Sequence, residues 1–136
     1  MRMCCLTFAA CTIATLANAQ NTPPEFDERG AVLCSYSLVT TLEAYARNCG
    51  QSGTENHMSL MGLLELHRGF VSRNGPATED DLNAFEAQQT RPASTICDDQ
   101  GVVEFYNAVE IQMSDFKDDI EESLSVDPEP VWNPCL

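Results

Sequence analysis

The chain has 136 residues, and its 21 acidic residues outnumber its seven basic ones, so the formal net charge at pH 7 is −14. Such a charge repels nucleic acid phosphates and anionic membrane surfaces, and we expect neither as a partner. A basic protein is the partner that a surface of this kind could attract.

The first 19 residues are typical of a secretory signal peptide. Arg2 supplies a positive start, residues 4–16 are largely apolar, and the segment "ANA" at 17–19 is a small-x-small cleavage site. The apolar run is shorter than the ~20 residues that a transmembrane helix needs. A lipoprotein signal ending at Cys11 is the alternative, but its apolar core would be too short for export. We therefore expect a periplasmic or secreted protein with a Gram-negative-like export signal and no membrane insertion after cleavage.

Cleavage after residue 19 removes three cysteines and leaves four, which are Cys34, Cys49, Cys97 and Cys135. An even set in an exported chain predicts two structural disulfides. The cysteines are 15, 48 and 38 residues apart, so they form neither the close pairs of a zinc site nor a C-x-x-C redox motif.

Residues 20–30 are polar with a Pro-Pro pair and predict a flexible arm. Residues 31–136 predict a single helical domain, and its first helix runs from about Ala31 to the stop at Gly50. The apolar side chains of this first helix recur every three or four residues on one stripe: Cys34, Leu38, Leu42, Tyr45 and Cys49.

Two further helices follow. Helix 2 is predicted from about Asn56 to Arg73, and the "NGP" segment at 74–76 ends it. Its apolar face contains Leu60, Leu63, His67, Phe70 and Val71. Helix 3 begins with a Thr78/Asp81 capping box, presents Leu82 and Phe85, and ends at the "RP" dipeptide at 91–92.

The fourth helix has the clearest pattern, and Asp98 or Asp99 is expected to cap its start. Its apolar residues share one stripe over more than six turns: Val102, Tyr106, Val109, Met113, Phe116, Ile120 and Leu124. The C-terminal "DPEPVWNPCL" contains three prolines and predicts an extended tail. Strand patterns are essentially absent, so the predicted fold is all-α: a small four-helix bundle-like domain stapled by two disulfides.

Helix geometry restricts the disulfide pairing. If helix 1 is continuous, Cys34 and Cys49 lie about 22 Å apart, far beyond the ~7 Å that a disulfide tolerates. Excluding that bond leaves two pairings. An up-down-up-down order of helices favours Cys49–Cys97 with Cys34–Cys135, although the stretch 92–97 could also carry Cys97 to the other end.

Both histidines lie on predicted helix 2, ten residues and thus about 15 Å apart along its axis, so they cannot share one metal ion. We expect His67 to be a core histidine hydrogen-bonded to a neighbouring helix. His57, Met58 and Met61 lie within one helical turn and are weak candidates for Cu(I). The alternative is that these methionines fill gaps in the core, and we expect no metal site.

The sequence predicts no catalytic site and no cofactor. It contains no G-x-S-x-G elbow and no glycine-rich phosphate loop. The acidic pair Asp98-Asp99 belongs at a helix N-cap, and the acidic residues of 118–122 are predicted on the outer face of helix 4.

The layout is loosely similar to two groups of small periplasmic proteins of Gram-negative bacteria. Its cysteine order and "VWNPC" ending resemble immunity proteins that neutralise amidase effectors of type VI secretion, although the glycine-rich stretch after the second cysteine is reduced to "CGQSG". Its size, helical content and compartment resemble acid-stress chaperones, which are shorter and less acidic. Neither resemblance assigns a role to a residue of this chain.

We therefore expect a small exported acidic protein that is not an enzyme and that binds a protein partner, as an inhibitor or immunity-type protein does. Its expected partner surface is acidic: Asp115, Asp118, Asp119, Glu121 and Glu122. The alternatives are a secreted hydrolase whose site is not visible in the sequence and a periplasmic stress or metal-handling chaperone.

Overall fold

The computed structural model describes residues 32–127, which fold into six helices and contain no strand. Helical residues make up 79% of this part of the chain, so the all-α prediction is confirmed. The helices are α1 (Val32–Asn48), α2 (Glu55–Asn74), α3 (Glu79–Gln89), α4 (Ala93–Ile96), α5 (Gln100–Ile111) and α6 (Met113–Leu124). The predicted signal peptide (1–19), arm (20–30) and C-terminal tail beyond Asp127 lie outside the described residues. None of the helices within 32–127 is long and apolar enough to cross a bilayer.

Local signals set most of the helix ends. Gly50 follows α1 with a φ of +85°, a left-handed conformation that glycine adopts without steric cost. Thr54 caps α2 by accepting the His57 N–H, and Thr78 and Asp81 form the predicted capping box of α3. At α5 the capping residue is Asp99, whose carboxylate accepts the Val102 N–H.

Helix α1 contacts α2, α3, α4 and α5, so most of its circumference is covered. Its C-terminal half packs with the start of α2 and with Tyr106 of α5, while its N-terminal half packs with the end of α2. The single stripe predicted for this helix is therefore wrong in part. Leu38 is 45% exposed, whereas Thr40, Glu43 and Ala44 are buried because neighbouring helices cover their side of α1.

The predicted fourth helix is two helices, because the chain leaves the α-helical conformation at Gln112 (φ −119°, ψ 29°). The predicted stripe is nevertheless preserved across the break: its residues are buried except Phe116, which is partly buried against two of the core clusters. The break has a packing reason. Helix α5 lies against α1, and α6 lies against α2. A change of direction at Gln112 lets the two halves of one amphipathic segment pack against these two different helices.

The disulfide between Cys49 and Cys97 is present, with a Cα–Cα distance of 5.5 Å. The route to it differs from the expected one. Helix α3 does not end near Cys49, because its last residue, Gln89, accepts a hydrogen bond from Ser37 in the first half of α1. The chain then returns along α1 through the short helix α4, which was not predicted and which places Ile96 in a buried cluster with Ala44.

The second predicted bond, Cys34–Cys135, involves a residue outside the described part of the chain and stays a prediction. The last described residue, Asp127, accepts a hydrogen bond from Asn74 at the end of α2. That end of α2 lies near the start of α1, since Val71 shares a buried cluster with Tyr36. Cys135 follows Asp127 by eight residues, so the position of Asp127 is compatible with the pairing.

Candidate functional site

His67 is a core histidine, as the sequence predicts: it is 0% exposed and bonds to a side chain of α1. Its Nδ1 lies 2.8 Å from the Leu63 carbonyl oxygen, so Nδ1 carries the hydrogen and donates it there. Nε2 is then an acceptor, and the Ser35 hydroxyl, 2.8 Å away, donates to it. Burial lowers the pKa of His67, and the hydrogen bond to Leu63 only partly opposes that shift.

The Ser35–His67 contact has the composition of a nucleophile–base pair, but its surroundings are those of a structural link. The Ser35 Oγ also lies 3.0 Å from the Val32 carbonyl oxygen, an alternative acceptor for its single hydrogen and one that serines in helices commonly use. The imidazole is stacked on the Tyr36 ring with centroids 5.4 Å apart and has no exposed surface. A substrate could not reach this base without a rearrangement of the core.

Next to His67, a polar cluster joins three helices. The Tyr36 hydroxyl donates to Glu86 Oε1 on α3 at 2.5 Å, and the same oxygen accepts from Arg68 Nη1 on α2 at 2.6 Å. Arg68 also pairs with Glu79. Burial, followed by the hydrogen bond to Glu86, raises the pKa of Tyr36. Every group of this cluster is occupied in holding α1, α2 and α3 together, so we assign the cluster to stability.

His57 faces α1 and not the methionines that follow it. Its Nδ1 accepts the Gly53 N–H at 3.0 Å, and its Nε2 lies 3.3 Å from Glu43 Oε1. Both ring nitrogens are thus used within the fold. Met58 is 59% exposed and Met61 is 49% exposed, so the idea that they fill the core is wrong. Within residues 32–127 no group of three or more His, Cys, Asp or Glu side chains is placed to hold a metal ion.

The exposed methionines belong to a second apolar stripe on α2, opposite the buried one. We call it the outer stripe, and it consists of Met58, Met61, Gly62 and Leu66. Leu66 is 41% exposed. Residues at i, i+3, i+4 and i+8 share one face of a helix, so the four are neighbours on the surface. The stripe was not predicted, although apolar residues on both sides of this helix are a signal for it in the sequence.

A groove of about 400 Å³ lies beside the outer stripe, between α2 and α6. Its residues are contributed by both helices: Glu55, Met58, Ser59, Gly62, Leu63, Leu66, Lys117 and Glu121. Lys117 Nζ lies 3.5 Å from Glu121 Oε1, so the one cation of the groove is paired within α6.

The predicted acidic surface divides into two parts. Asp115, Asp118, Asp119 and Glu122 are spaced i, i+3, i+4 and i+7, which places them together on the outer face of α6; we call these four the acidic face. All four are exposed, and within residues 32–127 their carboxylates have no ion-pair partner. Glu121 is also exposed but points to the groove side of α6 and pairs with Lys117.

Comparison with known proteins assigns no family. No protein-family model matches the chain, and no curated protein or solved structure matches it at a significant level.

Proposed function

We propose that this chain is an exported, periplasmic or secreted protein that binds a basic protein partner and is not an enzyme. The observation that carries the proposal is the acidic face of α6. In this proposal the helices form a bundle-like domain that two disulfides crosslink, Cys49–Cys97 and Cys34–Cys135. The second of these bonds attaches the C-terminal tail to α1, and residues 20–30 form an arm. The Cys49–Cys97 bond is compatible with an oxidising compartment.

The acidic face is unfavourable for the helix that bears it. Like charges three or four residues apart on a helix destabilise it by a few tenths of a kcal/mol per pair. The helix dipole favours Asp115 in the first turn of α6 but opposes Glu122, which lies two residues before its end, so the dipole does not offset the repulsion. Folding therefore does not explain the arrangement. Four neighbouring carboxylates without partners suit the steering and binding of a basic surface.

A matched pair of triple variants tests the proposal. The first neutralises part of the acidic face: Asp118→Asn, Asp119→Asn and Glu122→Gln. The second neutralises exposed carboxylates of α3, of the turn before α5 and of α5: Asp80→Asn, Asp98→Asn and Glu104→Gln. Both variants lose the same net charge through the same types of substitution. Any difference in partner binding between them is therefore due to where the substitutions lie.

The tagged mature protein and both variants are used to capture proteins from a periplasmic extract of the native host at 50 and 300 mM NaCl. We expect a stoichiometric basic partner that the first variant loses, that the second retains, and that high salt weakens. Equal capture by both variants would refute a role for the acidic face. Because the first variant removes like-charge repulsion, it should unfold no earlier than the parent protein, which separates loss of binding from loss of folding.

A secreted hydrolase is the second candidate, and it would require the buried Ser35–His67 contact to open to a substrate. A fluorophosphonate probe that labels a reactive serine, together with a broad hydrolase screen, tests it. Labelling of Ser35 with turnover, in the absence of any captured partner, would replace the binding proposal.

A further inference from the structure

The outer stripe of α2 has no role in the fold that the described residues reveal. The face opposite to it, with Leu60, Leu63 and Phe70, already supplies the core contacts of this helix. Large exposed apolar side chains that are neighbours, rather than scattered, mark interaction surfaces. Methionine is well suited to such a surface because its unbranched thioether adapts to the shape of a partner.

Gly62, in the middle of the stripe, supports this view independently. Glycine is disfavoured in the interior of a helix and is retained where a backbone or a side chain must approach closely. Nothing within the described part of the chain makes that approach, since a Cβ added at Gly62 would meet no atom within 4 Å. The bare backbone at Gly62 leaves the groove open to an occupant that lies outside residues 32–127.

The charges around the groove indicate what that occupant is. On the face of α2 that carries the stripe, Glu55 and Glu65 are exposed carboxylates, and Glu121 borders the groove from α6. The acidic face of α6 lies beyond Glu121. The apolar anchor of a partner would therefore sit in acidic surroundings, which favour lysine and arginine on both sides of that anchor.

We infer that the groove between α2 and α6 binds an amphipathic helix of the partner, with its apolar side chains over Gly62 and its basic side chains against Glu55, Glu65, Glu121 and the acidic face. This inference rests on the proposed function and specifies its partner class. A helix fits because helix-in-groove recognition uses apolar anchors one turn apart. Strand addition by an extended peptide would need the free edge of a sheet, and residues 32–127 contain no strand.

The test uses two synthetic peptides of ~18 residues, long enough to form a helix on binding. Both contain only leucine and lysine in equal numbers. One has leucine at helical spacing on a single face, and the other is scrambled so that no face is apolar. Binding to the full mature chain is measured by calorimetry at 50 and 300 mM NaCl. Backbone amide shifts locate the bound peptide.

Two variants accompany the parent protein. Gly62→Gln fills the groove at a position where the fold has room for a side chain. Ile111→Ser is the control, because Ile111 is 82% exposed at the end of α5 and is not among the residues that line the groove. We expect the amphipathic peptide to bind at least tenfold more tightly than the scrambled one. Gly62→Gln should remove that preference, Ile111→Ser should change the affinity less than twofold, and the shifted amides should lie in 58–66 and 117–121.

Other outcomes separate this inference from the proposed function. In one such outcome, both peptides bind equally, binding depends strongly on salt, and Gly62→Gln has no effect. The groove is then not the binding site, whereas the acidic face is still supported as one. In another, neutralising Asp118, Asp119 and Glu122 leaves the affinity for the peptide unchanged while Gly62→Gln abolishes binding. That result would support the groove as the binding site and refute a role for the acidic face. Failure of both peptides to bind at 50 mM NaCl refutes the inference about the groove, and the capture experiment alone then decides the proposed function. A dimer that Gly62→Gln converts to a monomer would show that a second copy of this chain occupies the groove, and the inference would be wrong.

Discussion

Acidification from pH 7.5 to pH 5 should destabilise the folded protein, and His67 should cause most of the loss. The imidazole is fully buried in its neutral form, and burial lowers its pKa. In the unfolded chain the same side chain takes up a proton near pH 6.5. The unfolded state therefore binds more protons than the folded state below about pH 6.5, so the free energy of unfolding falls as the pH falls through that value.

The magnitude has an upper limit set by a single proton. One group changes the free energy of unfolding by at most ~1.4 kcal/mol per pH unit, so between pH 6.5 and pH 5 the loss cannot exceed roughly 2 kcal/mol. The cost arises from burying a charge and not from a lost hydrogen bond. On protonation, Ser35 can turn its hydroxyl toward the Val32 carbonyl oxygen, 3.0 Å away, and accept the new N–H of His67.

Carboxylates act in a different pH window. The hydrogen bonds from Thr78 lower the pKa of Asp81, and the hydrogen bond from Arg91 leads the causes that lower the pKa of Asp99. Groups of this kind stabilise the fold above their unfolded pKa of 3.8 and lose that contribution as the pH falls further. Measurements at pH 5 and above therefore separate the contribution of His67 to the free energy of unfolding from those of Asp81 and Asp99.

The assay is urea unfolding of the parent protein and of His67→Gln at pH 7.5, 6.5, 5.5 and 5.0. We expect the variant to be less stable at pH 7.5 but to depend much less on pH. A carbon-bound proton signal of His67, followed by NMR in the parent protein, gives its pKa directly and does not depend on the folding of the variant. A value at or above 6.5, or equal pH dependence of both proteins, would refute the reasoning.

Three further predictions concern the scaffold. Replacing Cys49 and Cys97 by alanine should lower the free energy of unfolding by roughly 4 kcal/mol, because the bond closes a chain separation of 48 residues; a loss under 1 kcal/mol by urea unfolding would contradict this. Gly62→Ala should stabilise α2 by about 0.5–1 kcal/mol and raise the Tm by several degrees, since the new methyl group meets no atom within 4 Å; a lower Tm would show that the helix is strained there. Non-reducing peptide mapping should recover Cys34 joined to Cys135, and any other partner of Cys34 would overturn the predicted connectivity.

The sequence predicted best those features that depend on a few adjacent residues. The capping box of Thr78 and Asp81, the glycine turn after α1 and the end of α2 at Asn74 follow from local hydrogen bonding and backbone preference. The buried face of α2, including His67, was also predicted correctly, because one side of that helix supplies the core contacts. Local chemistry and one-sided burial are both visible as sequence patterns.

Features set by the arrangement of helices were not predictable in this way. Helix α1 is covered by four others, so Thr40 and Ala44 are buried while the more apolar Leu38 is exposed. The break at Gln112 follows from the different partners of α5 and α6, and the regular stripe across it gave no sign of a break.

The candidate groove was missed for the same reason. Met58 and Met61 have a spacing that suits a core as well as a surface, and only the positions of α1 and α6 decide which face of α2 is covered. The acidic residues were predicted correctly to be exposed because nearly all charged side chains of helices are. Their separation into a four-residue face and Glu121, which pairs with Lys117, required the structure.

The length of α1 has a consequence for oxidative folding. Cysteines that are close in sequence meet most readily in an unfolded chain, and among Cys34, Cys49, Cys97 and Cys135 the first two are the closest, 15 residues apart. A continuous helix of that length holds them about 22 Å apart, and helices form in microseconds whereas disulfides take seconds or longer. Once the helix is packed, it acts as a rigid spacer against the most accessible wrong bond. Cys49 is instead bonded to Cys97, which follows α4 and has its Cα 5.5 Å from that of Cys49.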